Sequence, residues 1–153
     1  MISTTINKHR GFSLVEVLIA LIILSVGMLG IAGLYVQSMQ AGRTSLFRHH
    51  AVNLAGDVAD RIRANPRAGG AYAGDGNDNS CIAQNTDCDE AEMADNDIFV
   101  WKAQASDALP TGDVSVIYDD STVPPNYQIT VTWDEPNNPS PPSYTITIPV
   151  LAI

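Results

Sequence analysis

Residues 11–36 read GFSLVEVLIALIILSVGMLGIAGLYV. From Val17 to Val36 no residue carries a charge. About 20 residues at about 1.5 Å rise each cross a hydrocarbon core roughly 30 Å thick. One membrane-spanning helix is therefore expected. A carboxylate, Glu16, stands at the mouth of this run. A charge near the centre of a lone span costs roughly 2.5–3.5 kcal/mol on insertion scales, so its position needs a reason. It either marks the membrane edge, snorkelling to the headgroups, or it answers a positive charge. Cutting the chain after Gly11 would make such a charge, a free amine on Phe12 four residues before the carboxylate.

Outward from the run, residues 1–11 are polar and basic, with Lys8 and Arg10 and no apolar periodicity. The basic leader, Gly11, the stretch Phe12-Ser13-Leu14-Val15-Glu16 and the uninterrupted apolar helix resemble the class III signal of type IV prepilins. That resemblance implies cleavage after Gly11 by prepilin peptidase and methylation of the new N-terminal Phe12. It also implies that Glu16 pairs with a neighbouring subunit's N-terminus during filament assembly. The leader would lie in the cytoplasm and the C-terminal domain outside. An ordinary secretory signal fits poorly, because the run exceeds the usual apolar core of about 7–15 residues and Glu16 interrupts its start. Charge bias adds little, since Lys8 and Arg10 on one side face Arg43 and Arg48 on the other.

Beyond the run the helical pattern continues. Phe47, Ala51, Leu54, Val58 and Ile62 recur at steps of three and four, opposite polar positions such as Arg48, Asn53, Asp57 and Arg63. Asp57 and Arg61 stand one turn apart, and Arg61 and Arg63 favour the negative end of the helix dipole. Pro66, Gly69 and Gly70 stop the helix. A narrower resemblance rests on SVGMLGIAGLYVQSMQ at residues 25–40 and DRIRANP at residues 60–66, which are similar to the PilV minor pilins of type IV pili. The fold this implies is α+β, a type IV pilin fold. Its long N-terminal helix has a membrane-spanning or filament-core half at residues 12–36 and an amphipathic half at residues 37–65. The second half packs on a small antiparallel sheet of three to four strands in a head at residues 66–153. Many major pilins carry a proline where this chain has Gly33. A continuous helix is thus expected in the isolated protein, with loosening between Gly27, Gly30 and Gly33 only after assembly.

The net charge of −9 conceals an asymmetry. Residues 1–67 hold seven of the eight Lys and Arg and three acids; the remainder holds one lysine and fourteen acids. The acidic C-terminal part argues against nucleic-acid binding, which rests on concentrated Lys and Arg. Two cysteines, Cys81 and Cys88, suggest one disulfide, closed in the oxidising compartment that export reaches. Their spacing is not that of a CxxC redox motif or a zinc knuckle.

Residues 68–97, rich in Gly, Ala, Asp and Asn, read as an irregular loop with little core of its own. Asp75, Asn77 and Asn79 mimic the opening of a calcium loop, but Ser80 stands where glycine is wanted and Thr86 where glutamate is. Glu90, Glu92, Asp95 and Asp97 read as a solvated face. A short helix is expected from an N-cap at Asn96 through Ile98, Trp101, Ala105 and Leu109, ended by Pro110 and Gly112. Three alternating runs follow: Val114, Val116, Tyr118; Tyr127, Ile129, Val131, Trp133; and Tyr144, Ile146, Ile148, Val150. Their Pro-rich connections suit an antiparallel meander.

No nucleophile elbow, phosphate loop, zinc signature or catalytic carboxylate pair is present, so no enzyme activity, cofactor or metal is expected. His49 and His50 point about 100° apart on a helix and make a poor chelate. Trp101 and Trp133 are expected in the core. The function implied by the resemblance is a minor pilin of a type IV pilus, acting in assembly initiation and in adhesion or motility. Its partners would be prepilin peptidase, other minor and major pilins, the inner-membrane assembly machinery and membrane lipid. It would sit in the inner membrane before assembly and at the cell surface in the pilus. A type II secretion pseudopilin and a membrane-tethered periplasmic enzyme or binding module are the alternatives.

Overall fold

The computed structural model describes residues 11–81, 87–136 and 138–150. The chain comprises two compact units, Met1–Gly42 and Arg43–Ile153. Helix α1 runs Leu14–Ala64, continuous through Gly27, Gly30 and Gly33. A 3₁₀ segment follows at Pro66–Tyr72, then helix α2 at Glu90–Ala108 and strands β1 Asp113–Asp119, β2 Asn126–Thr132 and β3 Ser143–Pro149. The architecture is the expected α+β arrangement, a long N-terminal apolar helix and a three-stranded antiparallel sheet on which its later part packs.

The sheet is a meander in the order β1-β2-β3. Its register aligns Val114 with Val131 and Tyr144, Val116 with Ile129 and Ile146, and Tyr118 with Tyr127 and Ile148. The three alternating runs of the sequence thereby make one apolar face, as the period of two requires. The opposite face carries Thr130 and Thr145, whose hydroxyls lie 3.1 Å apart. Against the apolar face lies a strip of α1 built from small and branched residues: Ala51, Ala55, Val58, Ala59 and Ile62, all buried. Leu54 and Phe47, expected on the same stripe, pack at its margin.

α1 stops where Pro66 begins the 3₁₀ segment. Proline at the first position of that segment gives up only a donor that would have had no partner there. The segment delivers Tyr72 into the core, fully buried and stacked on Trp101 with ring centroids 5.6 Å apart. Residues 68–97 are thus not the coreless loop the composition suggested. Their Gly76 adopts φ +78°, and a Cβ there would stand 2.6 Å from the Phe99 amide, so only glycine fits against α2.

α2 begins six residues before the expected N-cap. Asp89 caps it, accepting from the Ala91 and Glu92 amides at 2.9 and 2.8 Å, while Glu92 accepts from the Asp89 amide at 3.1 Å. This reciprocal capping box has the sequence signature Asp89-x-x-Glu92, here set within an acidic run. Asn96 is instead buried inside α2, where its side-chain oxygen accepts from the Cys81 amide at 3.3 Å. The helix ends as expected before Pro110. A Cβ on Gly112 would lie 2.2 Å from the Ala105 carbonyl oxygen, so the chain can double back past α2 only with glycine there.

Candidate functional site: the N-terminal segment and the head

Within the first unit, Gly11, Phe12 and Ser13 precede the helix and are exposed, Phe12 by 84 %. The Gly11–Phe12 peptide bond therefore lies outside regular structure. A Cβ on Gly11 would meet nothing within 4 Å, so the fold itself does not require glycine at this position. The Ser13 carbonyl accepts from the Val17 amide at 3.2 Å, and Glu16 occupies the first turn, where a carboxylate suits the positive end of the helix dipole. The structure thus places Gly11, Phe12 and Glu16 within one turn of the helix start.

Every large apolar side chain from Leu14 to Met39 is exposed, from 48 % at Val17 to 77 % at Leu14. A continuous apolar surface on this scale marks contact with lipid or with other protein. Ser25, the polar interruption in its middle, donates its hydroxyl to the Ile22 carbonyl at 2.8 Å. That bond satisfies it without water, as an apolar environment demands.

The second unit holds the disulfide and a polar cluster that sequence reasoning missed. Cys81 and Cys88 are joined, with Cα atoms 5.8 Å apart. The bridge ends one residue before the Asp89 cap, so it anchors the start of α2. Asp97, expected on a solvated face, is buried. Its carboxylate accepts from Arg61 at 2.8 Å and from the Tyr72 hydroxyl at 3.2 Å. Asn65 donates to the Tyr72 oxygen at 3.2 Å and to the Glu90 carbonyl at 2.8 Å. The four side chains tie the end of α1, the 3₁₀ segment and α2 together. Arg61 also meets Asp57 at 3.6 Å, the pair read from the one-turn spacing, but the closer Asp97 lies 36 positions away and left no local signal.

Burial pushes the Tyr72 hydroxyl pKa up to about 12, with Asn65's hydrogen bond working against the rise and Asp97's charge adding to it. Burial likewise raises Tyr127 to about 12, with neighbouring Tyr118 contributing. The Tyr127 hydroxyl donates to the Gly69 carbonyl. Asp119 is held below the ordinary carboxylate range by hydrogen bonds from Ser121's hydroxyl and amide at the β1–β2 turn.

The remaining candidates fall to structural roles. Trp101 and Trp133 are core residues. His49 and His50 are exposed, with ring centroids 6.4 Å apart, and Asn53 lies 3.0 Å from the His49 ring. In the calcium-like stretch, Asp75 faces Lys102 at 3.6 Å, the Asn77 amide donates to the Asp95 carbonyl and the Asn79 side chain donates to the Glu92 carbonyl. Those contacts serve to fasten the segment to α2; Thr86 lies outside the described residues. Among the described residues no group of three His, Cys, Asp or Glu is placed to hold a metal.

Comparison with known proteins reaches residues of both units. No curated protein and no solved structure matches it. Residues 6–32 match the family described as "Prokaryotic N-terminal methylation motif", and residues 33–99 match the family described as "Type IV pilin Tt1218". The chain thus resembles a prepilin N-methylation motif over its first matched stretch and a type IV pilin domain over the next.

Proposed function

We propose that this protein is a minor pilin of the PilV type in a type IV pilus, acting in assembly initiation and in adhesion or motility at the cell surface. Residues 1–11 are its leader. Prepilin peptidase cleaves the Gly11–Phe12 bond and the Phe12 amine is methylated. The observation that carries this reading is the start of α1, where an exposed, non-helical Gly11–Phe12 bond precedes a lone carboxylate and an apolar stretch whose large side chains, to Met39, are all about half exposed or more. Nothing in the fold calls for Gly11, so a requirement for it belongs to an outside agent such as a peptidase.

Glu16 then has a defined task. In the membrane it sits at the edge of the apolar run, and in a filament core it would be an isolated charge in low dielectric. Pairing with the Phe12 amine of a neighbouring pilin removes that penalty and selects subunits in register. Incorporation is thereby coupled to cleavage, because the amine at that position exists only after the leader is gone. The pilin domain is a structural subunit, and its partners are the peptidase, other minor and major pilins, and the inner-membrane machinery.

Mass spectrometry of the protein from sheared pili tests the processing: the expected chain starts at methylated Phe12. An intact Met1 in filaments, or a start beyond Val36, overturns it. Glu16→Ala should insert and be cleaved normally yet fall about tenfold in sheared pili, the cost of a lost charge pair. Equal incorporation would leave Glu16 as a marker of the membrane edge. Recovery with a secretion pseudopilus instead of pili would assign the chain to the type II secretion alternative.

A further inference from the structure

The two ends of the sheet carry different chemistry. By its register Asp119, Asn126 and Pro149 lie abreast at one end and Asp113, Thr132 and Ser143 at the other. Strands of this length set the two ends about 20 Å apart. At the first end the β1–β2 turn presents Val123, 99 % exposed and the most exposed large apolar side chain described in the second unit. Asp120, three residues before it, is exposed and forms no ion pair among the described residues. Hydrogen bonds fix the shape of this knob before any partner arrives: the Ser121 amide and hydroxyl donate to Asp119 at 2.9 and 2.6 Å, the Thr122 hydroxyl donates to the Pro124 carbonyl at 2.9 Å and the Asn126 side chain donates to the Thr122 oxygen at 2.8 Å.

The opposite end carries a socket. A cavity of about 440 Å³ opens between α1 and the start of β3, lined by Arg48, Val52, Trp133, Pro142, Ser143 and Tyr144. Its walls are mostly apolar, and its one charged group is the Arg48 guanidinium. Four described cations of the second unit are each held by a carboxylate: Arg61 by Asp57 and Asp97, Arg63 by Asp60, Arg67 by Glu90 and Lys102 by Asp75. Arg43 and Arg48 form no ion pair among the described residues, and the Arg43 guanidinium lies 6.0 Å from the centre of the Phe47 ring. Glu135, on the loop that leads to Pro142, accepts from the Trp133 indole at 3.1 Å and from the Thr44 hydroxyl at 3.5 Å. The cavity of like size between α1 and α2 suits an acidic knob poorly, since its Arg61 is already paired and Asp57 adds a carboxylate to its rim.

We infer that a second copy of this chain seats its β1–β2 turn in this socket, with Val123 against the apolar walls and Asp120 on Arg48. The match is twofold: an exposed valine meets apolar side chains, and a carboxylate without a cation meets a guanidinium without a carboxylate. Knob and socket lie at opposite ends of one sheet, so a copy cannot fill its own socket. Such a heterologous contact propagates head to tail from copy to copy. One knob covers far less than the roughly 1,000 Å² of a stable interface, so the contact is weak alone and counts where other contacts hold copies side by side. It uses the head only and goes beyond the minor-pilin reading without resting on it.

The test mixes two purified full-length variants in detergent micelles under mild oxidation, Val123→Cys supplying the knob and Ser143→Cys the socket, with Cys81–Cys88 already closed. Both positions are exposed, so the head should fold as before, which circular dichroism checks. On a non-reducing gel the mixed pair should give about fivefold more cross-linked dimer than either variant alone. Adding Arg48→Asp to the socket chain should cut that yield about fivefold, and adding Asp120→Arg to the knob chain should then restore it. Should Arg48→Asp disturb the fold, Arg48→Gln replaces it and should lower the yield and abolish its dependence on salt. A mixed pair that cross-links no better than the single variants overturns the pairing, and so does a yield indifferent to Arg48. A yield lowered by Arg48→Asp and not restored by Asp120→Arg would assign the socket to a different acidic partner and overturn it as well.

Discussion

Leu, Ile and Val behave in opposite ways in the two units. In the first unit, large apolar side chains from Leu14 to Met39 are all about half exposed or more, while in the second Ala51, Ala55, Val58 and Ile129 are fully buried. The head closes its own core with small helix residues against branched strand residues. The part of α1 in the first unit leaves its apolar surface open, as suits contact with lipid or with other protein. Hydrophobicity in this chain therefore reports two different environments, and burial distinguishes them.

Removing one large side chain from each unit tests that contrast most directly. Trp101→Ala should lower head stability by about 3–5 kcal/mol, because it removes a fully buried ring stacked on Tyr72. Ile23→Ala in the first unit, where the side chain is 68 % exposed, should leave the head's denaturant midpoint unchanged. A matching loss for both variants would mean that the two units share one cooperative transition.

Alkaline titration probes the buried tyrosines next. Tyr72 and Tyr127 are raised from 10.0 to about 12, so folding favours their neutral forms. The stabilisation is fully present below pH 10 and is lost as pH climbs from 10 towards 12, at roughly 2–3 kcal/mol per tyrosine. Thermal melts of the head across that window should show the fall. Tyr127→Phe should roughly halve the slope, Tyr72 still contributing, and an unchanged slope would mean that Tyr127 ionises as readily folded as unfolded.

Reducing the Cys81–Cys88 bridge should cost about 2.5 kcal/mol by the chain-entropy argument for so short a loop. The loss should appear as faster amide exchange at the start of α2, where the bridge abuts the cap. The smallest effect expected is that of Asp89→Ala, about 1 kcal/mol, the ordinary cost of a lost N-cap. Normal protection of the Ala91 and Glu92 amides in that variant would count against the capping box.

Sequence periodicity carried most of the fold. The three strands fall where alternation put them, because one face of the sheet is buried and the period of two is unambiguous. α2 starts at Glu90 rather than after Asn96, because Asp89 and Glu92 supply the capping box inside an acidic run that looks solvated in sequence. Asp97 shows why composition misleads there. A carboxylate looks solvated in sequence, and only a cation placed by the fold, Arg61, makes its burial tolerable.

By itself the sequence determined the uncharged apolar run, the carboxylate at its mouth, the helix stop at Pro66, the strand pattern and the spacing that permits the disulfide. These are local properties, set by chain length, charge and periodicity, which act within a few residues. The tertiary structure decided what distance along the chain conceals: the Arg61–Asp97–Tyr72–Asn65 cluster, the burial of Tyr72 from a Gly- and Ala-rich segment, and the contrast between paired and unpaired arginines. Each depends on residues tens of positions apart. Hydrogen bonds and ion pairs act over a few ångströms in space, whatever the distance along the chain, so only the folded arrangement could decide which groups meet.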